Sequence, residues 1–320
     1  NVTRNIFSIQ KGEPFFRSDY SYVPSQAAFY KIHKTEKIWS EALALCQYEG
    51  AALVVPESKS EIDTLRKIID HNLTNASIAV YTGISDVLVE GTFATTSGFD
   101  ISEIFENWAS DRPTTPPTSD TSDCVVMRRN MKYSDVVCSR KFPFICKKTL
   151  STLTFNLICQ TADINYFPDA AGNRCYKLHL KPKIWPDAYA VCRAEQGYLA
   201  IVNDAAEVKL LKDKFAEYPN NTIKGNFNKD QVYMGFHDRF IEGEYITVLG
   251  RPLSETGYEE WSPGQPDNAK YSEDCGTMFR SGLYNDVNCW VKLMFFCERE
   301  VGDSEVGIFV RFQEDTPVIQ

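Results

Sequence analysis

The stretch WSPGQPDNAKYSEDCGTMFRSGLYNDVNCWVKLMFFC, Trp261–Cys297, concentrates oxygen-bearing side chains among three cysteines. Gln265, Asp267, Glu273 and Asn285 lie in two short runs, Asp286 follows directly, and Cys275, Cys289 and Cys297 are spaced among them. Calcium is a hard cation that takes about six to eight oxygen ligands, and Asp, Glu, Asn and Gln supply them. Pro266 separates Gln265 from Asp267. A cis Gln265–Pro266 bond would turn both flanking side chains to one side, where they meet one ion; cis bonds are almost confined to X–Pro. Glu273 and the Asn285–Asp286 pair would close the shell from a second loop. Taken singly, QPD is a turn and YND a polar loop.

The chain of 320 residues is long enough for two ordinary domains with substantial cores. Its 43% hydrophobic and 24% charged content is globular. The net charge of −9 comes without a basic stripe, which argues against a nucleic-acid partner. No apolar run reaches the ~18 residues of a membrane span. The chain opens on Asn1 without a charged-then-apolar leader, which reads as a mature form after leader removal. Ten cysteines point to oxidised pairs. Sequons at Asn1, Asn72, Asn75 and Asn220 add the signature of a secreted, extracellular glycoprotein. Zinc would need CxxC or HxxxH clusters, and the four histidines, at 33, 71, 179 and 237, are scattered.

Working outward, the stretch proves to be one of two copies, offset by about 150 residues. Trp39 and Cys46 are spaced as Trp185 and Cys192, and Leu53 and Glu61 as Leu199 and Glu207. Tyr81-Thr-Gly83, Asp86 and Glu90-Gly91 return as Tyr233-Met-Gly235, Asp238 and Glu242-Gly243. Cys124, Cys138 and Cys146 repeat the spacing of Cys275, Cys289 and Cys297. The domains are read as 1–148 and 155–300, with a tail over 301–320 and a linker from Lys147 to Phe155.

In each copy a first strand (Phe29–Ile32 in the first) leads to a short helix. The first copy's helix is predicted over Thr35–Gln47 with Gly50 as its stop, and the second opens at Pro186 and stops at Gly197. A second helix follows a capping box, Ser58-Lys-Ser-Glu61 or Asp204-Ala-Ala-Glu207. Its apolar stripe, Ile62, Leu65 and Ile69 or Val208, Leu211 and Phe215, is core. Val80–Gly83, Val232–Phe236, Lys141–Cys146 and Met294–Cys297 are predicted buried strands, and Val306–Phe312 alternates like an added one. Long polar loops between them need a function or a staple, and sequence alone leaves the cysteine connectivity open.

These residues resemble the C-type lectin domain. That family's sugar-binding calcium site is QPD or EPN, then an acid shortly before a Cys, then W/YND shortly before the next Cys. Gln265, Asp267, Glu273, Asn285 and Asp286 match in order and spacing, with Tyr284 where Trp is usual. The resemblance implies an α+β fold of two tandem domains, each of two short helices, short antiparallel strands and long stapled loops. It implies the pairs Cys46–Cys146, Cys124–Cys138, Cys192–Cys297 and Cys275–Cys289, with Cys159–Cys175 across the extra N-terminal hairpin of the long form. It implies that two sugar hydroxyls coordinate the calcium and also bond the side chains that hold it, so that Gln265, Asp267, Glu273 and Asn285 would do both jobs. QPD goes with galactose-type sugars in the family, and Tyr271 is placed to stack on one. Asp238, Glu242, Asn268 and Asp274 match an auxiliary calcium position, with Asn268 where Asp is usual.

The first copy departs. Arg112-Pro-Thr114 stands in the QPD place, Ser122 replaces the acid before Asp123-Cys124, and Tyr133-Ser-Asp135 replaces YND. A cation at 112 repels calcium, although Asp86 and Glu90 keep part of the auxiliary set. The tandem arrangement resembles insect haemolymph lectins of the immulectin type. That implies recognition of microbial glycans such as lipopolysaccharide, and recruitment of haemocyte or immune-cascade proteins. The alternative is a lectin-like protein–protein module in which calcium is only structural. An enzyme is disfavoured: there is no HExxH, GxSxG or P-loop, and the acids best placed for sugar are assigned to the metal.

Overall fold

A computed structural model describes residues 14–73, 79–113, 122–269 and 272–302. They pack as two units that divide between Leu153 and Thr154. No helix among them is long and apolar enough to cross a membrane.

The first unit runs β1 (Ser21–Val23), β2 (Ala28–Lys37), α1 (Trp39–Tyr48), β3 (Ala52–Leu53), α2 (Lys59–Asn72), β4 (Ala79–Ser85), β5 (Ala94–Thr95), β6 (Cys124–Arg128), β7 (Tyr133–Val136) and β8 (Phe142–Thr149). Its sheet has the order β1-β2-β8-β4-β6-β7, with β3 on β8 and β5 on β4. The second unit repeats this as β9 (Phe167–Pro168), β10 (Arg174–Lys183), α3 (Trp185–Ala194), β11 (Tyr198–Leu199), α4 (Ala205–Ala216), β12 (Gln231–His237), β13 (Ile246–Thr247), β14 (Cys275–Phe279), β15 (Tyr284–Val287) and β16 (Leu293–Glu300). Pairing is antiparallel except at the centre, where β4 meets β8 and β12 meets β16 in parallel. The result is the expected α+β architecture, with sheets that are mixed.

Helices α2 and α4 begin where their caps dictate. The Ser58 hydroxyl and the Asp204 carboxylate accept the Glu61 and Glu207 backbone N–H, and both helices bury their stripes completely or nearly so. Trp39 and Trp185 anchor the other helices. Their indole N–H groups donate to the carbonyls of Thr82 and Met234 on the central strands, at 2.8 and 3.0 Å. Five disulfides join Cys46 to Cys146, Cys124 to Cys138, Cys159 to Cys175, Cys192 to Cys297 and Cys275 to Cys289. Closing the loop of 100 residues between Cys46 and Cys146 contributes about 4–5 kcal/mol on a chain-entropy account.

Three expectations are corrected. The first helix starts at Trp39, not Thr35, because β2 continues along β8 to Lys37 and stacks His33 on Phe144 at 4.4 Å. Strand pairing outweighs the helical pattern. In the second unit Gln196, with φ of 64°, takes the left-handed position that Gly50 takes in the first. Gly197 has another use: a Cβ there would sit 2.3 Å from the Glu298 carbonyl oxygen, so glycine admits the neighbouring strand. Lys147–Thr149, read as linker, belong to β8. Val306–Phe312 and the sequon at Asn1 and Asn75 lie outside the described residues.

Candidate functional site

The first loop of the second unit's site leaves Trp261, whose ring packs with Phe236, Tyr245 and Tyr284. Tyr284 is fully buried, so this position is one of packing. The Gln265–Pro266 peptide is cis. β15 rises beside the loop and presents Asn285 and Asp286 from its centre.

Asp286 is buried, and its two carboxylate oxygens accept the backbone N–H groups of Asp267 and Asn268 at 3.2 and 2.7 Å. Glu273 accepts the Ala269 N–H at 2.9 Å, while its own N–H donates to Asn268 Oδ1 at 3.1 Å. One carboxylate oxygen from each of Asp267, Glu273 and Asp286 lies within 4.8 Å of the others. Burial and the charges of Asp286 and Asp267 raise the Glu273 pKa, against the Ala269 hydrogen bond. Gln265 Oε1 is buried without a hydrogen-bond partner. Three gathered carboxylates and an orphaned amide oxygen are a donor set for a hard divalent cation. The residues present therefore fit calcium.

The auxiliary candidates act on one another electrostatically, but their carboxylates do not form a group as close as Asp267, Glu273 and Asp286 do. Asp238 is buried and accepts the Gly243 N–H at 2.9 Å; burial and the Asp274 charge raise its pKa. Glu242 is raised by desolvation and by Asp238 and Asp274, and Asn268 donates to it. Asn268 therefore touches both sets. Tyr271 lies outside the described residues.

Asn285 differs from expectation. Its Nδ2 donates to Gln231 Oε1 at 3.3 Å and to the Asp286 carbonyl at 2.6 Å. Both amide hydrogens are thus used inside the domain, which leaves its oxygen as the group for an ion. The Thr277 hydroxyl lies 3.0 Å from both Gln231 Oε1 and the Asn285 carbonyl. Sequence reasoning missed Gln231 and Thr277. The one available signal was the repeat itself, since Ala79 and Val126 stand in their places in the first copy.

In the first unit Arg112 Nη1 donates to Asp135 Oδ1 at 3.2 Å, and the Arg112–Pro113 peptide is cis. Ser134 and Asp135 are buried. Asp86 is buried as well, and its pKa is raised by burial and by Asp123 and Asp135. Thr114 lies outside the described residues. Among the described residues, no group of acids gathers here as Asp267, Glu273 and Asp286 do.

A family model described as Lectin C-type domain matches residues 35–148 and again residues 181–299. The chain belongs to the C-type lectin family. Among C-type lectins and their relatives, the "Hemolymph lipopolysaccharide-binding protein" of Periplaneta americana is 43% identical over 127 residues, 39% of this chain and 49% of that protein. The human "C-type lectin domain family 17, member A" is 29% identical over 127 residues, 40% of this chain and 30% of that protein. The chain thus spans about half or less of the length of these relatives. A solved mouse scavenger receptor C-type lectin carbohydrate-recognition domain is 26% identical, covering 44% of this chain and 98% of that domain at a TM-score of 0.36.

Proposed function

We propose that this C-type lectin is a secreted, calcium-dependent carbohydrate-binding protein whose second domain holds the sugar, with microbial surface glycans as its targets. The observation that carries the reading is the convergence of the Asp267, Glu273 and Asp286 carboxylates, together with the unpartnered oxygen of Gln265 on the other side of the cis proline from Asp267. When bound, calcium supplies a centre that two neighbouring sugar hydroxyls can coordinate. The chain's own residues do the rest. Asp286 accepts two N–H groups from the loop after Pro266 and so ties that loop to β15. Glu273 and Asp267 present carboxylates that accept hydrogen bonds from hydroxyls, and such charge-assisted bonds are the stronger kind. Gln265 offers amide hydrogens as donors. The Gln-Pro-Asp order favours galactose-type over mannose-type sugars on the family pattern.

The cockroach relative, named for binding lipopolysaccharide, supports a microbial glycan as ligand. Haemocyte or immune-cascade proteins are the corresponding partners. All ten cysteines are paired, which supports an oxidising, extracellular compartment. With a net charge of −9, the protein gains nothing from bulk attraction to an anionic glycan, so the ion and hydroxyl contacts must hold it. The role is binding, not catalysis.

One observation favours a second reading, in which calcium only braces a protein–protein surface: the Asn285 amide hydrogens are already committed. Retention on galactose, mannose and lipopolysaccharide resins, with calcium and with excess chelator, separates the two. Chelator-reversible retention supports the lectin. Absent retention, with calcium still raising the unfolding temperature, supports the second reading.

A further inference from the structure

The two domains treat one position in opposite ways. Gln265 precedes its cis proline with an unpartnered amide oxygen; Arg112 precedes the equivalent proline with a guanidinium bonded to Asp135. Asp135 and Asp286 occupy the same place in their sheets. Asp135 pairs across β6 with Val125 and Asp286 across β14 with Gly276, each one residue beyond the first cysteine of its short disulfide loop.

The charges change in step. Asp267, Glu273 and Asp286 correspond to Thr114, Ser122 and Asp135, so two carboxylates are absent from the first domain. Where the second domain gathers three carboxylates, the first sets a guanidinium against one. Asp135 is 3% exposed, and a carboxylate held that far from water needs a charged or hydrogen-bonding partner. Asp86 is a second negative charge close enough to interact with it. Arg112 also lies 3.9 Å from the exposed Asp111. A guanidinium stays charged across the working pH range, and a chelator cannot remove it.

We infer that Arg112 is a built-in cation standing in for the metal, so that the first domain holds β7 in place without calcium and binds any ligand of its own in a metal-independent way. That Arg112 stands in for a metal rests on the calcium reading given above; that it holds β7 through Asp135 does not.

Hydrogen exchange read by mass spectrometry on the full chain tests both halves separately. In the wild type, amides of Tyr133–Val136 should exchange equally in calcium and in chelator, while those of Tyr284–Val287 exchange about tenfold faster in chelator. Arg112→Gln should speed exchange at Tyr133–Val136 by about tenfold in both conditions, and Arg112→Lys, which keeps the charge, by about threefold or less. Calcium-dependent protection of Tyr133–Val136 in the wild type would overturn the inference. So would unchanged exchange in Arg112→Gln, or an Arg112→Lys variant as fast as Arg112→Gln. A Tyr284–Val287 segment indifferent to calcium would count against the calcium reading alone.

Discussion

Gln231 Oε1 lies 3.3 Å from Asn285 Nδ2, so a residue at the start of a buried strand holds a candidate ligand 54 positions away. The contact fixes which end of the Asn285 amide faces the site. Because Gln231 and Asn285 are 6% and 7% exposed, water cannot take over if either is lost. Partners behind a ligand commonly set metal affinity by 10–100-fold. Gln231→Leu should weaken calcium binding about tenfold, and Thr277→Val by less. Isothermal titration calorimetry on the folded variants is the check; unaltered affinity would show that the amide needs no anchor.

Asp267 contributes a carboxylate to the three-acid group, and its N–H donates to Asp286. Asp267→Ala removes the first and keeps the second. Calcium-dependent sugar retention should disappear while Asp286 stays tied to the loop and the first domain unfolds at its usual temperature. Calorimetric scans beside resin retention measure both.

Acidification should act on metal binding and on the metal-free fold with opposite signs. Burial, then neighbouring carboxylates, raise the pKa values of Glu273, Asp238 and Glu242. A raised carboxyl takes up protons sooner as pH falls, and protons compete with the ion, so calcium affinity falls from pH 7 towards acid. In the apoprotein the same groups are protonated more readily folded than unfolded. Their stabilisation is fully present below the unfolded pKa and is lost as pH rises through the folded one. Chemical denaturation in chelator should therefore show a fold that gains stability on mild acidification, while titrations show weaker calcium binding.

Glu298 offers a second pH test away from the site. Burial pushes its pKa up to about 7, although Ile201 donates its N–H at 2.9 Å and the Arg174 guanidinium lies 3.6 Å away. Burial prevails, and the charge of Glu207, to which Arg174 is also bonded, adds to it. The stabilisation from protonated Glu298 is present below the unfolded value of 4.5 and is lost as pH rises to about 7. Glu298→Gln should remove that slope and leave the protein more stable at pH 8 by on the order of 3 kcal/mol. Urea melts of both proteins at pH 5 and pH 8 would reveal it.

Core packing gives a plainer test. Phe215 on α4 is fully buried beneath the Arg280 guanidinium, 3.8 Å from its ring centroid. Phe215→Ala should cost about 3–5 kcal/mol in the second domain, from lost transfer energy and the cavity left behind. A midpoint in denaturant within experimental error of the wild type would contradict the assignment of this stripe to the core.

Much of this protein was legible in sequence because the deciding features are local. The Ser58 and Asp204 caps bond within three residues, and the apolar stripes behind them follow helical period. The carboxylates at 267 and 273 lie in the loops before Cys275 and that at 286 on β15, within the short disulfide span from Cys275 to Cys289, so the match of their order and spacing to the family motif announced their meeting. Even the cation at 112 was visible as an intruder. What required the tertiary structure was every choice made across the sheet. β2 runs on to Lys37 because β8 lies beside it, Gly197 is needed because Glu298 passes within reach, Gln231 turns the Asn285 amide, and Arg112 finds Asp135. Periodicity and spacing encode what neighbours along the chain can do. The identity of a buried polar group's partner depends on which strands are adjacent, and only the folded sheet sets that.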